Sequence, residues 1–271
     1  MTGILTMVYP RKYILEDTIR DVEYWTMNNT RSYDTRFKLY QHLLRHNFSA
    51  EWRYHDFLEY AVNNDKMHNK RCSVVGNGGI LKNSACGPEI DKANYVFRSN
   101  LPSIRNFTYD AGKKTNFSTF NPSIISERYH NNFSGFKHDL DAYEGHILFS
   151  RTELIKGAKR AFLSYVRENT TLMDLEADPN YLFAVETFWV CNKRATTGLL
   201  LVSLALIRCD ELHLFGFWPF DTDKDGNDVP YHYTEDIDWP VTTTHNMQCE
   251  FQILRELHIK GVLKLHIDKC E

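Results

Sequence analysis

The chain has 271 residues, a formal net charge of -3, and 42% hydrophobic and 14% aromatic side chains. A charge so close to neutrality gives no general attraction to nucleic acid or to an anionic membrane surface, and no nucleic-acid partner is expected. The length and apolar content predict one sizeable core, and no linker or internal repeat divides the chain.

Sequons and cysteines indicate the secretory lumen. Six Asn-x-Ser/Thr sequons occur, against about two or three expected by chance from the asparagine content. These candidate N-glycosylation sites are Asn28, Asn47, Asn106, Asn116, Asn132 and Asn169. None of the six cysteines has the C-x-x-C or mixed Cys/His spacing of a zinc site. Disulfides are the better explanation, although the sequence alone leaves their pairing open.

The first 70 residues, rich in Tyr, Arg and Asn, match no motif. We expect residues 1–70 to be a lead-in containing helices and residues 71–271 to form the main domain. Residues 1–20 carry charges and lack an apolar run of about 20 residues, so no membrane-spanning helix is predicted there.

The segment 71–100 has the pattern of a strand, a glycine loop, a helix and a second strand. A β-branched run precedes Gly76, Gly78 and Gly79, which allow a sharp turn. Such a turn brings N–H groups against a phosphate at the start of a helix. The second strand is predicted at residues 95–98. The segment therefore predicts a nucleotide pocket, with a plain structural turn as the alternative.

The nucleotide is not predicted to be a dinucleotide. Leu81 stands where G-x-G-x-x-G has its third glycine, and no Lys-Ser or Lys-Thr follows as a P-loop requires. Asn100 follows the second strand, where dinucleotide enzymes place an acid for the ribose. A dinucleotide oxidoreductase is thus disfavoured, and NAD binding would revive it.

A second segment reads as a loop, a helix, a strand and a loop. Thr196 and Thr197 are placed to cap the helix, and Gly198 allows a ligand to approach its N-terminus. The strand predicted at residues 212–217 delivers Trp218 to its carboxyl end, where ligands bind in open α/β sheets. The alternative is a core helix and strand joined by a tight turn.

Four segments in order resemble motifs of the animal sialyltransferases. Residues 72–100 resemble the large motif, residues 196–220 the small motif, residues 232–235 (HYTE) the third motif and residues 245–250 (H-x-x-x-x-E) the very small motif. The strings GNGGILKNSACG, NPSII, GFWPF and KGVLKLHIDKCE are similar to the α-2,8 branch, closest to its mono- and oligosialyl members. The likeness spans roughly residues 70–271.

The resemblance implies a single-domain α/β fold of the Rossmann-like, glycosyltransferase-A type, with a mostly parallel central sheet and helices on both faces. It implies inverting transfer of sialic acid from CMP-sialic acid to a terminal sialic acid on a glycolipid or glycoprotein, in α-2,8 linkage. CMP-sialic acid is then the donor substrate, and no cofactor or metal is expected. Acceptor choice and oligomeric state are not readable from the motifs.

Motif position assigns roles to the candidate site residues. His245 is the expected general base, because imidazole accepts a proton near neutral pH. His232 is expected to donate to the phosphate as charge builds on it. The expected donor-binding residues are Asn77, Asn100, Thr196, Thr197, Gly198, Trp218 and Tyr231. Glu250 and Asn121 are possible supports, Glu250 from the first turn of a helix predicted at 247–258.

The resemblance also implies two disulfides, one joining the nucleotide segments and one pinning the C-terminal tail: Cys72 with Cys209, and Cys86 with Cys270. Cys191 and Cys249 are left free or paired in a way the sequence does not predict. The family location is the Golgi lumen, in type II membrane proteins held by a signal-anchor helix. No such anchor is present in this sequence, and we expect a truncated luminal fragment.

The acidic segment after the small motif resembles two kinds of metal-binding site. Asp221, Asp223 and Asp225 mimic the start of a calcium loop, but His232 occupies the position of the bidentate glutamate. The Asp-Thr-Asp run also resembles the metal-holding D-x-D of other glycosyltransferases. A monophosphate leaving group needs less neutralisation than a diphosphate, so an exposed acidic turn is predicted.

One departure separates the chain from its relatives. Related enzymes usually show two aromatic residues after the motif histidine, whereas Thr234 and Glu235 follow Tyr233 here, and Tyr231 replaces a common preceding histidine. The alternative function is therefore a sialoglycan- or CMP-binding protein with the same fold and weakened catalysis.

Overall fold

The structure is a computed structural model that describes residues 25–46, 71–121, 123–130, 132–149, 156–176, 179–235, 238–240 and 244–270. Its centre is a seven-stranded sheet in the order β5-β4-β3-β2-β1-β6-β7. Every pairing in this sheet is parallel. The strands are β1 Arg71–Val75, β2 Tyr95–Arg98, β3 Phe117–Phe120, β4 His146–Phe149, β5 Met173–Glu176, β6 Glu211–Phe215 and β7 Lys264–His266.

Nine α-helices and one 3-10 turn lie between and before these strands in the described part of the chain. The helices are α1 Asn29–Arg45, α2 Gly87–Asp91, α3 Thr108–Ala111, α4 Ser123–Glu127, α5 Phe133–Leu140, α6 Lys156–Asn169, α7 Pro179–Trp189, α8 Thr197–Leu206 and α9 Met247–Ile259. The 3-10 turn is Gly79–Leu81.

Strand β1 is buried on both faces, as its β-branched run predicts. Val74 belongs to the main core cluster together with Leu201 of α8. Val75 points to a second cluster that contains Ile90 of α2. Helices therefore cover both faces of the sheet, and the α/β fold expected from the sequence is confirmed, with a sheet that is parallel throughout.

The N-terminal helix α1 packs onto this core. Its Leu39 and Leu43 are almost fully buried in the main cluster. Asn28 caps the helix, since its side chain accepts a hydrogen bond from the backbone N–H of Arg31 at 3.0 Å. The boundary placed at residue 71 remains a prediction, and the proposed lead-in contains at least this one packed helix.

The order in which strands are added to the sheet reverses at β1. Strands β1 to β5 run outward on one side, and the chain then returns to place β6 on the other side of β1. Parallel sheets of this kind open a crevice at the carboxyl ends of the two strands that flank the reversal. The loops after β1 and β6, which the sequence marks as nucleotide segments, therefore meet.

Three disulfides hold the described chain. The bonds Cys72–Cys209 and Cys86–Cys270 are the two pairings that the resemblance implies. A third bond joins Cys191 to Cys249, which the sequence left open.

No helix among the described residues combines the length and apolarity needed to cross a membrane.

Candidate active site

A cleft opens at the carboxyl ends of β1 and β6. All eleven residues that the sequence assigns to donor binding, catalysis or support line it: Asn77, Asn100, Asn121, Thr196, Thr197, Gly198, Trp218, Tyr231, His232, His245 and Glu250. Four separated motifs therefore converge on one site. The roles predicted for these residues remain predictions.

The glycine loop after β1 lies against the loop after β6. A Cβ atom built on Gly76 or on Gly78 would come within 2.6 Å of the carbonyl oxygen of Gly216. The N–H of Gly78 donates to that oxygen at 3.0 Å, and the N–H of Gly76 donates to the carbonyl of Phe215 at 2.8 Å. These glycines allow two backbones to touch.

The expectation that this loop offers its N–H groups to a phosphate at a helix start is wrong in two respects. The N–H groups of Gly76, Gly78 and Gly79 already donate to backbone carbonyls. The loop leads into the 3-10 turn, and the next α-helix, α2, begins only at Gly87. The N-termini of two later helices border the cleft instead: that of α8, which follows the second segment, and that of α9.

Residues 230–233, which lead into the third motif, lie across the glycine loop and form a strap over it. Gly78 and His232 form an isolated antiparallel bridge. The N–H of Tyr233 donates to the carbonyl of Asn77 at 3.0 Å, and the N–H of Gly79 donates to the carbonyl of Tyr231 at 3.3 Å. His232 is thereby fixed opposite the start of the nucleotide loop.

Asn77 carries an unsatisfied polar atom at the cleft. Its Nδ2 donates to the carbonyl of Ser99 at 3.1 Å, which fixes the orientation of the amide. Its Oδ1 is buried and has no hydrogen-bond partner among the described residues. A buried acceptor of this kind is costly unless a ligand supplies a donor. The amino group of a base or a ribose hydroxyl group of a nucleoside has the required donor.

Asn100 follows β2 with a left-handed backbone, at φ 59°. Its N–H donates to Thr119 Oγ1 at 2.9 Å, and the Thr119 hydroxyl donates to Asn100 Oδ1 at 3.2 Å. Asn121 begins the segment that leads into α4, where its backbone carbonyl accepts the N–H of Ile124. Both amides border the cleft on its β2 and β3 side.

The start of α8 is capped as predicted. Thr196 Oγ1 accepts a hydrogen bond from the N–H of Leu199 at 3.1 Å. The first N–H groups of a helix have no acceptor within the helix, and its dipole favours an anion there. Since the N–H of Leu199 is used by the cap, Thr197 and Gly198 present the donors of this helix end.

Glu250 joins the start of α8 to the first turn of α9. Its Oε1 accepts from the N–H of Thr196 at 2.8 Å, and its Oε2 accepts from Thr196 Oγ1 at 2.5 Å. The carboxyl group is buried, and desolvation raises its pKa to about 7 against the lowering effect of the two Thr196 bonds. Glu250 thus braces the Thr196 turn at the cleft wall.

His245 stands just before α9, and its ring is held in a defined orientation. The distance from its Nδ1 to the carbonyl oxygen of Arg194 is 2.9 Å. A carbonyl only accepts, so Nδ1 carries the hydrogen and the neutral ring has its lone pair on Nε2. This tautomer suits proton abstraction by Nε2.

The aromatic candidates differ in exposure. Trp218 is only 4% exposed, packs edge-on against Phe220 and Phe251, and donates from Nε1 to the carbonyl of Thr222 at 2.9 Å. It is a core residue that forms part of the cleft wall, which leaves little of its ring for covering a base. Tyr231 is half-buried and stacks on His232 with ring centroids 4.5 Å apart.

The acidic segment forms a turn of its own. Asp223 Oδ1 accepts the N–H groups of Asp225 at 2.9 Å and of Asn227 at 2.8 Å. Asp225 is exposed, as expected for an acidic turn. No group of three or more potential metal ligands occurs among the residues that the structure describes.

Comparison with known proteins identifies the family. The model of glycosyltransferase family 29 (sialyltransferase) matches residues 11–262. The chain belongs to this family.

Two similar curated proteins carry α-2,8 names. The chain is 40% identical over 218 residues to the alpha-N-acetylneuraminide alpha-2,8-sialyltransferase of Xenopus laevis, covering 76% of this chain and 60% of that protein. It is 39% identical over 216 residues to alpha-2,8-sialyltransferase 8E of Homo sapiens, covering 74% and 56%. The chain thus spans less than two thirds of either relative.

A solved structure shares the fold of this family 29 chain. The crystal structure of a mammalian sialyltransferase matches with a TM-score of 0.53 and 22% identity, covering 85% of each chain. At this identity the match supports the fold alone.

Two contacts within the family 29 site were missed by sequence reasoning. One is the Glu250 bond to Thr196, and the other is the Cys191–Cys249 disulfide. Each links positions more than 50 residues apart, and no local pattern signals such a contact. An even number of cysteines with one pair unassigned was the only available sign of the disulfide.

The sequons of this sialyltransferase-family chain have different surroundings. Asn106, Asn132 and Asn169 are exposed, whereas Asn116 is half-buried and its Oδ1 accepts the N–H of Val96 in β2. Asn47 lies outside the described residues. Glycosylation remains a prediction at each site.

Proposed function

We propose that this chain is the catalytic part of an inverting sialyltransferase that moves sialic acid from CMP-sialic acid to a terminal sialic acid, in α-2,8 linkage. The observation that carries the proposal is the ring of His245. Its Nδ1 donates to the Arg194 carbonyl at 2.9 Å, beside the cleft where the four family motifs meet. This arrangement supports a general base with its lone pair on Nε2.

The donor fits the polar groups around the cleft. Thr197 and Gly198 at the start of α8 would hold the phosphate, because a helix N-terminus favours an anion. The buried Oδ1 of Asn77 would accept a hydrogen from the nucleoside, and Asn100 lies beside it on the neighbouring strand end. Thr196 would act from the cap, and Tyr231 would border the bound donor.

The transfer is a single displacement. His245 Nε2 takes the proton from the acceptor hydroxyl as the acceptor oxygen forms its bond to the anomeric carbon. The bond from that carbon to the phosphate oxygen breaks at the same time, and CMP leaves with the electron pair. His232 would donate a hydrogen bond to the leaving phosphate, in a role of the oxyanion-hole type. The transition state resembles an oxocarbenium ion, and the anomeric configuration inverts.

Metal independence is part of the proposal. CMP, a phosphate monoester, leaves with less charge than a nucleoside diphosphate does, and a helix end together with His232 offers donors for it. Asp223 has its Oδ1 engaged by two backbone N–H groups of its own turn. The acidic turn is therefore better explained as structure than as a metal ligand.

The acceptor class is proposed from the relatives. The two similar proteins are named α-2,8-sialyltransferases, which supports a sialylated glycolipid or glycoprotein as acceptor. Three disulfides support a protein made in the secretory pathway, because such bonds persist in oxidising compartments. We place the enzyme in the Golgi lumen.

The test measures transfer from CMP-sialic acid to a matched panel of sialylated and unsialylated acceptors, with and without chelator. Transfer to sialylated acceptors that survives chelation is the expected result, and linkage analysis should give α-2,8. Transfer restricted to unsialylated acceptors would move the activity to another branch, and loss of transfer with chelator would overturn metal independence.

A second candidate is a binding protein with weakened chemistry, favoured by one observation at the altered motif. Thr234 Oγ1 is buried without a hydrogen-bond partner among the described residues. It follows Tyr233, whose backbone holds the strap to Asn77. Binding of CMP with no transfer to any acceptor in the panel would favour this function.

A further inference from the structure

The Cys191–Cys249 disulfide lies between two parts of the proposed site. Cys191 follows α7 and begins the loop of residues 191–196, which ends at Thr196 at the start of α8. Cys249 lies in the first turn of α9, next to Glu250. The bond therefore joins the loop on one side of the cleft to the helix that follows His245.

Noncovalent contacts join the same two segments. The Arg194 carbonyl accepts from His245 Nδ1, and Glu250 accepts from Thr196. Asn246 caps α9 by accepting the N–H of Cys249 at 3.2 Å, and its Nδ2 donates to the Cys191 carbonyl at 3.4 Å. The disulfide is the covalent member of this set of contacts.

The backbone of Val190, directly before Cys191, does not follow its local preference. Val190 has a φ of 50°, in the left-handed region that a β-branched valine avoids, and Asn192, a residue that tolerates this region, has a φ of 55°. Val190 is 64% exposed, so packing of its side chain does not explain the conformation. A strained loop of this kind persists where surrounding contacts hold it.

We propose that Cys191 and Cys249 are positioning residues for the base. Their disulfide holds the loop so that the Arg194 carbonyl stays against His245 Nδ1, which keeps the imidazole oriented and in the tautomer with a basic Nε2. The inference rests on the proposed function of His245.

The physical reason lies in the Arg194 carbonyl, the partner that sets the tautomer of the ring. A neutral imidazole chooses its tautomer by the partner that its other nitrogen finds. Without the disulfide, the nearest remaining tie at Cys191 is the 3.4 Å bond from Asn246, which is long for a hydrogen bond. Movement of the loop by about 1 Å is enough to lower a rate about a hundredfold.

The test compares wild type with the double variant Cys191→Ser/Cys249→Ser. The His245 tautomer is read from ¹⁵N chemical shifts of the ring, and transfer kinetics are measured at a temperature where both proteins are folded. The inference predicts mixed tautomers, a kcat at least about tenfold lower and a smaller change in the donor KM. Cys86→Ser/Cys270→Ser is the control for loss of a disulfide distant from His245, and it should keep the wild-type tautomer.

The outcomes separate the positioning role from a structural one. A lower Tm with unchanged kcat and unchanged tautomer in the serine pair overturns the inference and leaves the proposed function intact. If wild type transfers no sialic acid, the proposed function fails, and the tautomer comparison still tests the effect of the disulfide on the ring. Should the serine pair fail to fold, Cys191→Ala/Cys249→Val, which fills the site with apolar atoms, makes the same comparison.

Discussion

Glu250 accepts two hydrogen bonds from Thr196, a residue 54 positions earlier in the chain. The contact ties the first turn of α9, which follows the proposed base, to the cap of α8, which borders the proposed phosphate site. A single buried carboxyl group thereby connects the two halves of the candidate active site.

Removal of this carboxyl group should lower stability and donor affinity together. Glu250→Ala leaves the N–H of Thr196 without its acceptor and empties a buried site, so we expect a loss of about 2–4 kcal/mol in the free energy of unfolding. The donor KM should rise because the Thr196 turn loses its brace. Denaturant unfolding and donor titration measure both effects. Glu250→Gln, the isosteric control, should cost less than half as much, and equal losses in the two variants would contradict the account.

The Glu250 carboxyl group should also make the free energy of unfolding fall as the pH rises. Burial raises the pKa of Glu250 to about 7, while the unfolded chain has the ordinary value of 4.5. The folded state therefore binds more protons between these pH values, and the stabilising contribution, complete below pH 4.5, is lost as the pH rises through 7. Wild type should lose about 2 kcal/mol more than Glu250→Gln between pH 5 and pH 8.

Wild type and Glu250→Gln share all other titrating groups, so the difference between their pH profiles reports on Glu250 alone. Burial lowers the pKa of His213 to about 4 and that of His266 to about 2, which acts on stability in the opposite direction as the pH falls. Parallel pH profiles for wild type and Glu250→Gln would show that the Glu250 carboxyl has an ordinary pKa.

The contact between the third motif and the glycine loop should not tolerate a side chain at Gly79. A Cβ atom there would lie 1.9 Å from the carbonyl oxygen of Pro230. We expect Gly79→Ala to lose about 3 kcal/mol of stability and most donor binding, because the strap must move. Gly226→Ala is the matched control, since Gly226 has φ +82° but no atom within 4 Å of its built Cβ. It should lose about 1 kcal/mol. Similar Tm values for the two variants would be inconsistent with the strap.

The altered third motif allows an isosteric test. Thr234 Oγ1 is buried without a partner among the described residues, so Thr234→Val removes an unsatisfied hydroxyl while it keeps the shape. The free energy of unfolding should stay equal or rise by about 1 kcal/mol. A loss of more than about 1 kcal/mol in denaturant unfolding would mean that the hydroxyl has a partner.

The sequence predicted the elements that carry motifs well. Strand β2 was predicted at its observed bounds, and the predicted helix at 247–258 agrees with α9 to within one residue. Strand β6 ends at Phe215, two residues before its predicted end, because Gly216 has φ +72° and turns the chain toward Gly76. The local pattern of apolar residues is enough to predict such strands and helices, and a glycine indicates where a turn can occur.

Contacts between motifs were harder to predict. The glycines of the first loop are predicted to form a phosphate cradle, but their N–H groups donate to the backbone carbonyls of Phe215, Gly216 and Tyr231. Trp218 is predicted to bind the donor, and it does line the cleft, but Phe220 and Phe251 pack against its ring. The sequence predicts which residues meet at the cleft. It does not predict which of their hydrogen-bonding groups and ring faces are already used by neighbouring residues.

The most direct test of a sialyl transfer with His245 as base compares wild type with His245→Asn. An asparagine amide at this position can still donate to the Arg194 carbonyl but has no basic lone pair, so it separates proton abstraction from the tie to the loop. We predict that kcat for transfer from CMP-sialic acid falls by about 10²–10⁴, while CMP affinity stays within about threefold of wild type. Transfer by His245→Asn at a rate close to wild type would contradict the account, because another group would then be removing the proton.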